Sequence, residues 1–398
     1  MKAKLFVVNE TTLEEAKREK IAKIKIPLAS KEKEQNGEII EEETKKPTKQ
    51  FVQSTDSMLA DFLQLSLGDY VFFWCEKKKQ SQSSSITGVY RIISKPYFHF
   101  DSSDDLFPFK VRIEEAFVFE KPVNEYEVLN SPFINNALWN IVGKKISGKG
   151  RGSIQLTPRE CESLLQLLIK NNPNYTFIPE DSNRFDQTQS QATLSVDYTK
   201  KGEKLNPPLV NHIHEYNMNS FVHFDKKGKL HFEKSYEAIF NFEINRKNGQ
   251  FLKQIGIDDC DDIVWFGNYL PYSLDSTEMD YLIFTSRDKI NITGAYVLEF
   301  KRDNLPLPDK DTHFRRSLQY SKWVDENLLS GANITRPILI CEKCPDFNSD
   351  KLNEKDKNIV KAYNELEERI LTQFNFEKRV SIFASDFSGD APVFNQKR

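Results

Sequence analysis

Phenylalanine and tyrosine recur along this chain in short runs of alternating polarity, and that pattern limits the fold more than any other feature. The runs Leu67-Gly-Asp-Tyr-Val-Phe-Phe-Trp74, Ile86 to Ser94, Phe109 to Glu114 and Ala116 to Glu120 each place apolar residues at period two or in short buried stretches. Clusters of Gly, Pro, Asn, Asp and Ser separate them, which is the texture of β-rich domains with few helices. Residues 4–9 add a first strand, and Thr12 to Glu19 reads as a helix with Thr11 or Thr12 as its cap. A short amphipathic helix is expected over Met58 to Leu65. Four or five strands at this spacing predict a small barrel.

Two stretches interrupt the pattern. From residue 30 to 50 the chain is almost purely charged, with too little apolar surface to offset the entropy of ordering, so it reads as a flexible insert. Residues 181–215 lack periodicity and are rich in Ser, Gln, Asn, Asp and Thr, which marks a linker. Just before it, Thr157 caps a helix that has Pro158 at its first position and runs to about Lys170. With 398 residues, the chain is therefore expected to form two domains, 1–180 and 216–398.

Beyond the linker the order of elements changes. Phe221 to Phe224 and Lys229 to Phe232 flank Asp225-Lys-Lys-Gly228 as a hairpin, and a helix follows from Glu233. Met279 to Phe284 and Ala295 to Lys301 flank the polar turn Arg287 to Gly294, an expected antiparallel pair. Helix His313 to Leu329, strand Pro337 to Cys341, helix Glu354 to Phe374 and strand Val380 to Ala384 then alternate, as in an α/β sheet. The expected class is α+β in the first half and α/β in the second.

Composition removes several functional classes. No apolar run approaches the roughly 18 residues that a membrane span needs, so the chain reads as cytoplasmic with no membrane partner. Five cysteines are an odd number and few for the length, which argues against a disulfide framework. A net charge of −3, from 56 basic and 59 acidic side chains, excludes a non-specific nucleic-acid coat protein and makes any such contact local. Cys341-Glu-Lys-Cys344 lacks a second Cys or His pair at ligand spacing, so its thiols read as structural, and His212 with His214 falls in the linker.

The chemistry gathers in the second half. Residues two apart on a strand share a face, so Glu299 and Lys301 project together while Phe300 points the other way. Asp280, on the neighbouring strand, can sit opposite them. Two carboxylates that hold a hard divalent cation, with a lysine beside the metal-bound water, are the minimum equipment for phosphodiester hydrolysis. An acid-x-base triplet alone arises about eight times by chance in a chain this charged. The weight comes from its place at the end of an apolar strand, after an Asp-bearing strand and an acid-bearing helix.

That order, with Glu237 in Lys-Ser-Tyr-Glu-Ala-Ile-Phe, Asp280 in Glu-Met-Asp-Tyr-Leu-Ile-Phe and Glu299 and Lys301 in Val-Leu-Glu-Phe-Lys-Arg-Asp, resembles the PD-(D/E)XK nuclease superfamily. Within it, residues 221–390 are most similar to the nuclease domains of Shedu anti-phage proteins and of NucS mismatch endonucleases. The resemblance implies a restriction-endonuclease-like α/β domain in which Asp280 and Glu299 bind Mg²⁺ or Mn²⁺, Lys301 activates water, and Glu237 and Gln319 complete the site. Glu278 and Glu243 are alternative carboxylates. Arg302, Arg315, Arg316 and Lys322 lie in or beside this constellation and are candidate contacts to DNA phosphates. Shedu-type proteins imply an assembly, here a dimer or tetramer, and phage or other foreign DNA as partner. The rival readings are a repair endonuclease of NucS type and a catalytically dead reader of modified bases.

The first half, with Leu67 to Trp74, Thr87 to Ile92, Phe107 to Ile113, Trp139 and Gly148-Lys-Gly-Arg-Gly-Ser-Ile, resembles an EVE domain of the PUA-like class, a small β-barrel that takes a modified base into an aromatic pocket. By that resemblance Trp74 and Trp139 are pocket walls, and Lys144, Lys145, Lys149 and Arg151 bring charge and backbone to phosphates. Trp74 reads equally as core.

Overall fold

The structure, a computed structural model, describes residues 2–24, 60–76, 83–98, 109–131, 153–180, 211–212, 234–245, 247–257, 262–271, 278–308, 313–374, 376–387 and 392–398. The charged insert, most of the linker, the hairpin expected over 221–232, and Trp139, Lys144, Lys145, Lys149, Arg151 and His214 lie outside these residues. The described chain is mixed α/β and divides into two compact units. The first holds what is described up to residue 212, together with Ala238–Asn245; the second holds Lys234–Glu237 and what is described from residue 247 onward. The helix Lys234–Asn245, expected whole in the second domain, is thus divided between the two units.

The first unit is a curled, half-barrel sheet. Strands β1 (Ala3–Val8), β2 (Ile21–Ile24), β3 (Tyr70–Cys75), β4 (Ser85–Ile92), β5 (Tyr97–Phe98), β6 (Phe109–Val118), β7 (Val123–Asn124), β8 (Ser153–Leu156), β9 (Thr176–Phe177) and β10 (Asn211–His212) form it. Its main path runs β10-β5-β6-β4-β3-β1-β8. The sheet bends around β6, one ten-residue strand where the sequence suggested two. The first half of β6 pairs with β2 and β5 and its second half with β4 and β9. Register breaks between Val89 and Tyr90, a bulge of the kind that increases local twist.

Helices α1 (Glu10–Glu19), α2 (Glu125–Asn130) and α3 (Pro158–Asn171) belong with this sheet by sequence, as do the helical residues 60–63, within the helix expected over Met58 to Leu65. The cap of α1 is Asn9, whose side chain accepts from Thr12 N–H at 2.8 Å, not either threonine. An Asn two residues earlier sits where the backbone is still extended, as an N-cap must be. Thr157 caps α3 as expected and forms a reciprocal box with Glu160.

The second unit is a six-stranded sheet in the order β11 (Asp262–Pro271), β12 (Glu278–Ser286), β13 (Gly294–Lys301), β14 (Thr335–Cys341), β15 (Ser381–Asp386), β16 (Val393–Gln396). The β12–β13 pair is antiparallel as the sequence implied; β13, β14 and β15 run parallel. Helices α4 (Lys234–Asn245) and α5 (Gly249–Gln254) precede the sheet in the chain, and α6 (His313–Asn327) and α7 (Glu354–Phe374) are its crossovers. Two crossovers of one hand, stepping in one direction, put both helices on one face. Phe314 and Leu318 of α6 and Tyr363, Leu366 and Ile370 of α7 accordingly share one core with Leu339, Cys341 and Ile382. On the other face Tyr236, in the first turn of α4, stacks on Phe300 at 5.1 Å between ring centroids and hydrogen-bonds Ser385.

Among the described residues, no helix is long and apolar enough to cross a membrane.

Candidate metal centre

Glu299 sits near the carboxyl end of β13, where the sheet changes from antiparallel to parallel. Such an end collects side chains from a strand, its antiparallel neighbour and the start of the next crossover helix. All three contribute here. Asp280 of β12, Glu299 of β13 and His313, the first residue of α6, offer ligand atoms that lie within 4.8 Å of one another. Glu299 is buried, while Asp280 and His313 are partly exposed.

Backbone groups hold the two carboxylates. Asp280 Oδ2 accepts from Phe300 N–H at 2.8 Å, and Glu299 Oε1 faces Asp280 N–H at 3.4 Å. Each acid thus uses an oxygen on the opposite strand and keeps another for the centre. Glu299 Oε2 lies 3.2 Å from His313 Nδ1. The donor set of two carboxylates and one imidazole, converging from three elements, suits a divalent cation. Lys301 shares the Glu299 face by strand alternation and is partly buried.

The helix that begins at His313 is packed on the sheet. Tyr320 and Val324 of α6 pack with Trp265, Leu282, Phe284, Ala295 and Val297 on the sheet. Tyr320 Oη donates to the Glu278 carbonyl at 3.2 Å. At the far end of α6, Asp325 Oδ1 accepts from the Ile334 and Thr335 amides at 3.0 Å each and from the Thr335 hydroxyl at 2.7 Å. These contacts tie the middle and the far end of the helix to the sheet that carries the acids.

Two residues expected in the site are elsewhere. Glu237 lies on the other face of the sheet: Asn268 donates to its Oε2 at 2.5 Å, and Asn268 stands opposite Tyr281, which points away from Asp280. Burial first, and the neighbouring Glu237 charge second, push the Tyr281 phenol well above its ordinary range. Gln319 is exposed on α6. Six residues at about 100° each turn it about 120° away from His313, onto the outward stripe with Arg315, Lys322 and Glu326. Of the alternative carboxylates, Glu278 is on β12 outside the cluster, and Glu243 belongs with the first unit.

The cationic candidates divide. Arg315 is exposed and Arg316 partly so, both within the first turn of α6; Arg302 pairs with Asp303 at 3.7 Å, and Lys322 with Glu326 at 3.8 Å. Trp74 is 3% exposed. It lies on β3 between β1 and β4 and is buried, which fits the core reading the sequence also offered and not the pocket wall. Cys341 and Cys344 are not joined in a disulfide, and the first is buried at the end of β14.

His313 was missed because it is a lone histidine at a helix start, twelve residues beyond Lys301. Its one signal was a ligand-type side chain opening the helix that follows the Glu-x-Lys strand.

No family model and no curated protein matches the chain. Among solved structures, a hypothetical protein from Leishmania major is 9% identical, with 43% of this chain and 96% of that one covered and a TM-score of 0.28. A Pseudomonas putida protein is 14% identical over 42% and 98%, at 0.26. Human THYN1, crystallised with DNA containing 5-methylcytosine, is 14% identical over 42% and 97%, at 0.24. TM-scores of this size establish no shared fold.

Proposed function

We propose that the second unit is a divalent-cation-dependent DNA endonuclease, and that the first unit recognises the nucleic acid to be cut. The observation that carries this reading is the convergence of Asp280, Glu299 and His313 within 4.8 Å, with Lys301 on the same face. When bound, a cation there neutralises the scissile phosphate and lowers the pKa of the attacking water. Asp280 and Glu299 hold it, fixed by the Phe300 and Asp280 amides, and His313 supplies the third donor. Lys301 orients the water or stabilises the developing charge. Arg315 and Arg316, beside His313, contact backbone phosphates. The curled sheet of the first unit supports the EVE/PUA-like reading.

The sequence resemblance supports a role in defence against phage DNA, carried out by a dimer or tetramer in the cytoplasm. The test is cleavage of plasmid, linear and phage DNA with Mg²⁺, Mn²⁺ or EDTA, by the wild type, Glu299→Ala and Lys301→Ala. Metal-dependent cleavage lost in both variants is expected. Folded protein that cuts nothing, or a Glu299→Ala variant as active as the wild type, overturns the nuclease reading. Cleavage directed by mismatches would assign it to repair.

A further inference from the structure

We infer that His313 makes this centre selective for a first-row transition dication, Mn²⁺, over Mg²⁺. The inference rests on the proposed reading of Asp280, Glu299 and His313 as metal ligands.

The donor set is the argument. Two carboxylates alone are oxygen ligands, which suit Mg²⁺ and Mn²⁺ alike. Mg²⁺ is hard, keeps several of its waters and is served by one or two carboxylates, so an imidazole in its shell replaces a better oxygen donor. A borderline nitrogen donor favours the transition dications instead. His313 is placed to be that donor: its Nδ1 is 3.2 Å from Glu299 Oε2. Adjacent ligands of a six-coordinate ion with bonds of about 2.1 Å stand about 3 Å apart, so this spacing fits two neighbouring positions on one ion.

The mounting of α6 keeps it there. Tyr320 on the Glu278 carbonyl and Asp325 on the Thr335 amide tie the helix that begins at His313 to the sheet that carries the acids. If His313 served only as a hydrogen-bond partner for Glu299, its removal would change the affinity for both cations alike. As a ligand, it changes Mn²⁺ far more than Mg²⁺.

The full chain is titrated with MnCl₂, free Mn²⁺ being followed by its electron paramagnetic resonance signal, and Mg²⁺ is measured by competition. The wild type is expected to bind Mn²⁺ at least about tenfold more tightly than Mg²⁺. His313→Ala should lose about tenfold or more in Mn²⁺ affinity with Mg²⁺ changed less than about threefold. Pulsed spectra of Mn²⁺ bound to the wild type should carry ¹⁴N coupling from the imidazole, a readout that requires no variant. His313→Gln, which keeps the bulk and offers oxygen, should abolish the preference.

Equal affinity for the two cations, or bound Mn²⁺ without nitrogen coupling, overturns the inference and leaves the metal reading standing. Cation binding that survives Glu299→Ala unchanged, or no binding by the folded wild type, overturns the metal reading and the inference with it.

Discussion

Phe300 and Asp280 are joined across the β12–β13 pair by a backbone N–H that donates to a carboxylate at 2.8 Å. The residue next to Glu299 therefore sets the direction of the other acid. Asp280→Asn keeps an oxygen that can accept this bond but removes the charge. Its unfolding midpoint should stay near that of the wild type while cation affinity falls by about tenfold or more, measured by calorimetry. Asp280→Leu removes the acceptor as well and leaves the amide of buried Phe300 without it, a cost of about 1–3 kcal/mol read by urea denaturation.

Glu237 and the metal centre occupy opposite faces of the same sheet, so their effects should separate. Glu237 is 2% exposed, and its loss removes the carboxylate that accepts from the Asn268 carboxamide, itself 5% exposed. Glu237→Ala is expected to cost about 1–3 kcal/mol in stability. Divalent-cation affinity of the folded variant should stay within about twofold of the wild type, because Glu237 is not a ligand. A variant of normal stability that no longer binds the cation would return Glu237 to the centre.

Gly294 opens β13 opposite Thr285, and a Cβ there would stand 2.5 Å from Thr285 Oγ1. That hydroxyl is buried and, among the described residues, has no hydrogen-bond partner. Gly294→Ala should destabilise the chain by about 1–3 kcal/mol through overpacking. Adding Thr285→Ala removes the obstructing atom and should recover most of the loss. Thermal unfolding of the single and double variants measures the coupling; purely additive effects would refute the contact.

The hairpin and its acids were legible because alternation is a local property. Period two put Glu299 and Lys301 on one face and Phe300 on the other, and the polar turn fixed Asp280 near Glu299. The bounds of α7 were equally plain, since its apolar stripe is uninterrupted. What was not legible depends on distant partners. Glu237 was assigned to the site because nothing in α4 says which face of the sheet it meets. The partner that decides, Asn268, lies on β11, a strand whose pattern is interrupted by Gly267 and Asn268 and which the sequence did not suggest. His313 joins the acids only through the crossover that lays α6 over β13, a tertiary event without a local signal.

Gln319, by contrast, should be silent. It is exposed on the outward stripe of α6. Gln319→Ala is expected to leave stability within about 0.5 kcal/mol and cation affinity within about twofold. DNA cleavage at saturating cation should be unchanged within about threefold; abolished cleavage would show that the residue acts in the site after all.

The turn that closes the β12–β13 hairpin carries its own titration. Asp288 accepts from the Asn291 amide at 2.7 Å, the Ile290 amide at 2.9 Å, the Asn291 side chain at 2.7 Å and the Ser286 hydroxyl at 2.9 Å. These bonds, led by that from the Asn291 backbone, hold its carboxyl far below the ordinary 3.8. A carboxyl whose folded pKa is depressed contributes stability that is complete above its unfolded value and fades as pH falls through the folded one. The contribution should therefore be flat from pH 7 to about 5 and decline below about 4. Asp288→Asn retains an acceptor but cannot titrate, so the gap in unfolding midpoint between wild type and variant should narrow as the pH is lowered from 5 to 2. A gap that stays constant over that range would mean that the ionised carboxylate adds nothing to the turn. Because the same turn sets the register that brings Asp280 to Glu299, the variant should also weaken cation binding at pH 7, where the wild-type turn is at full strength.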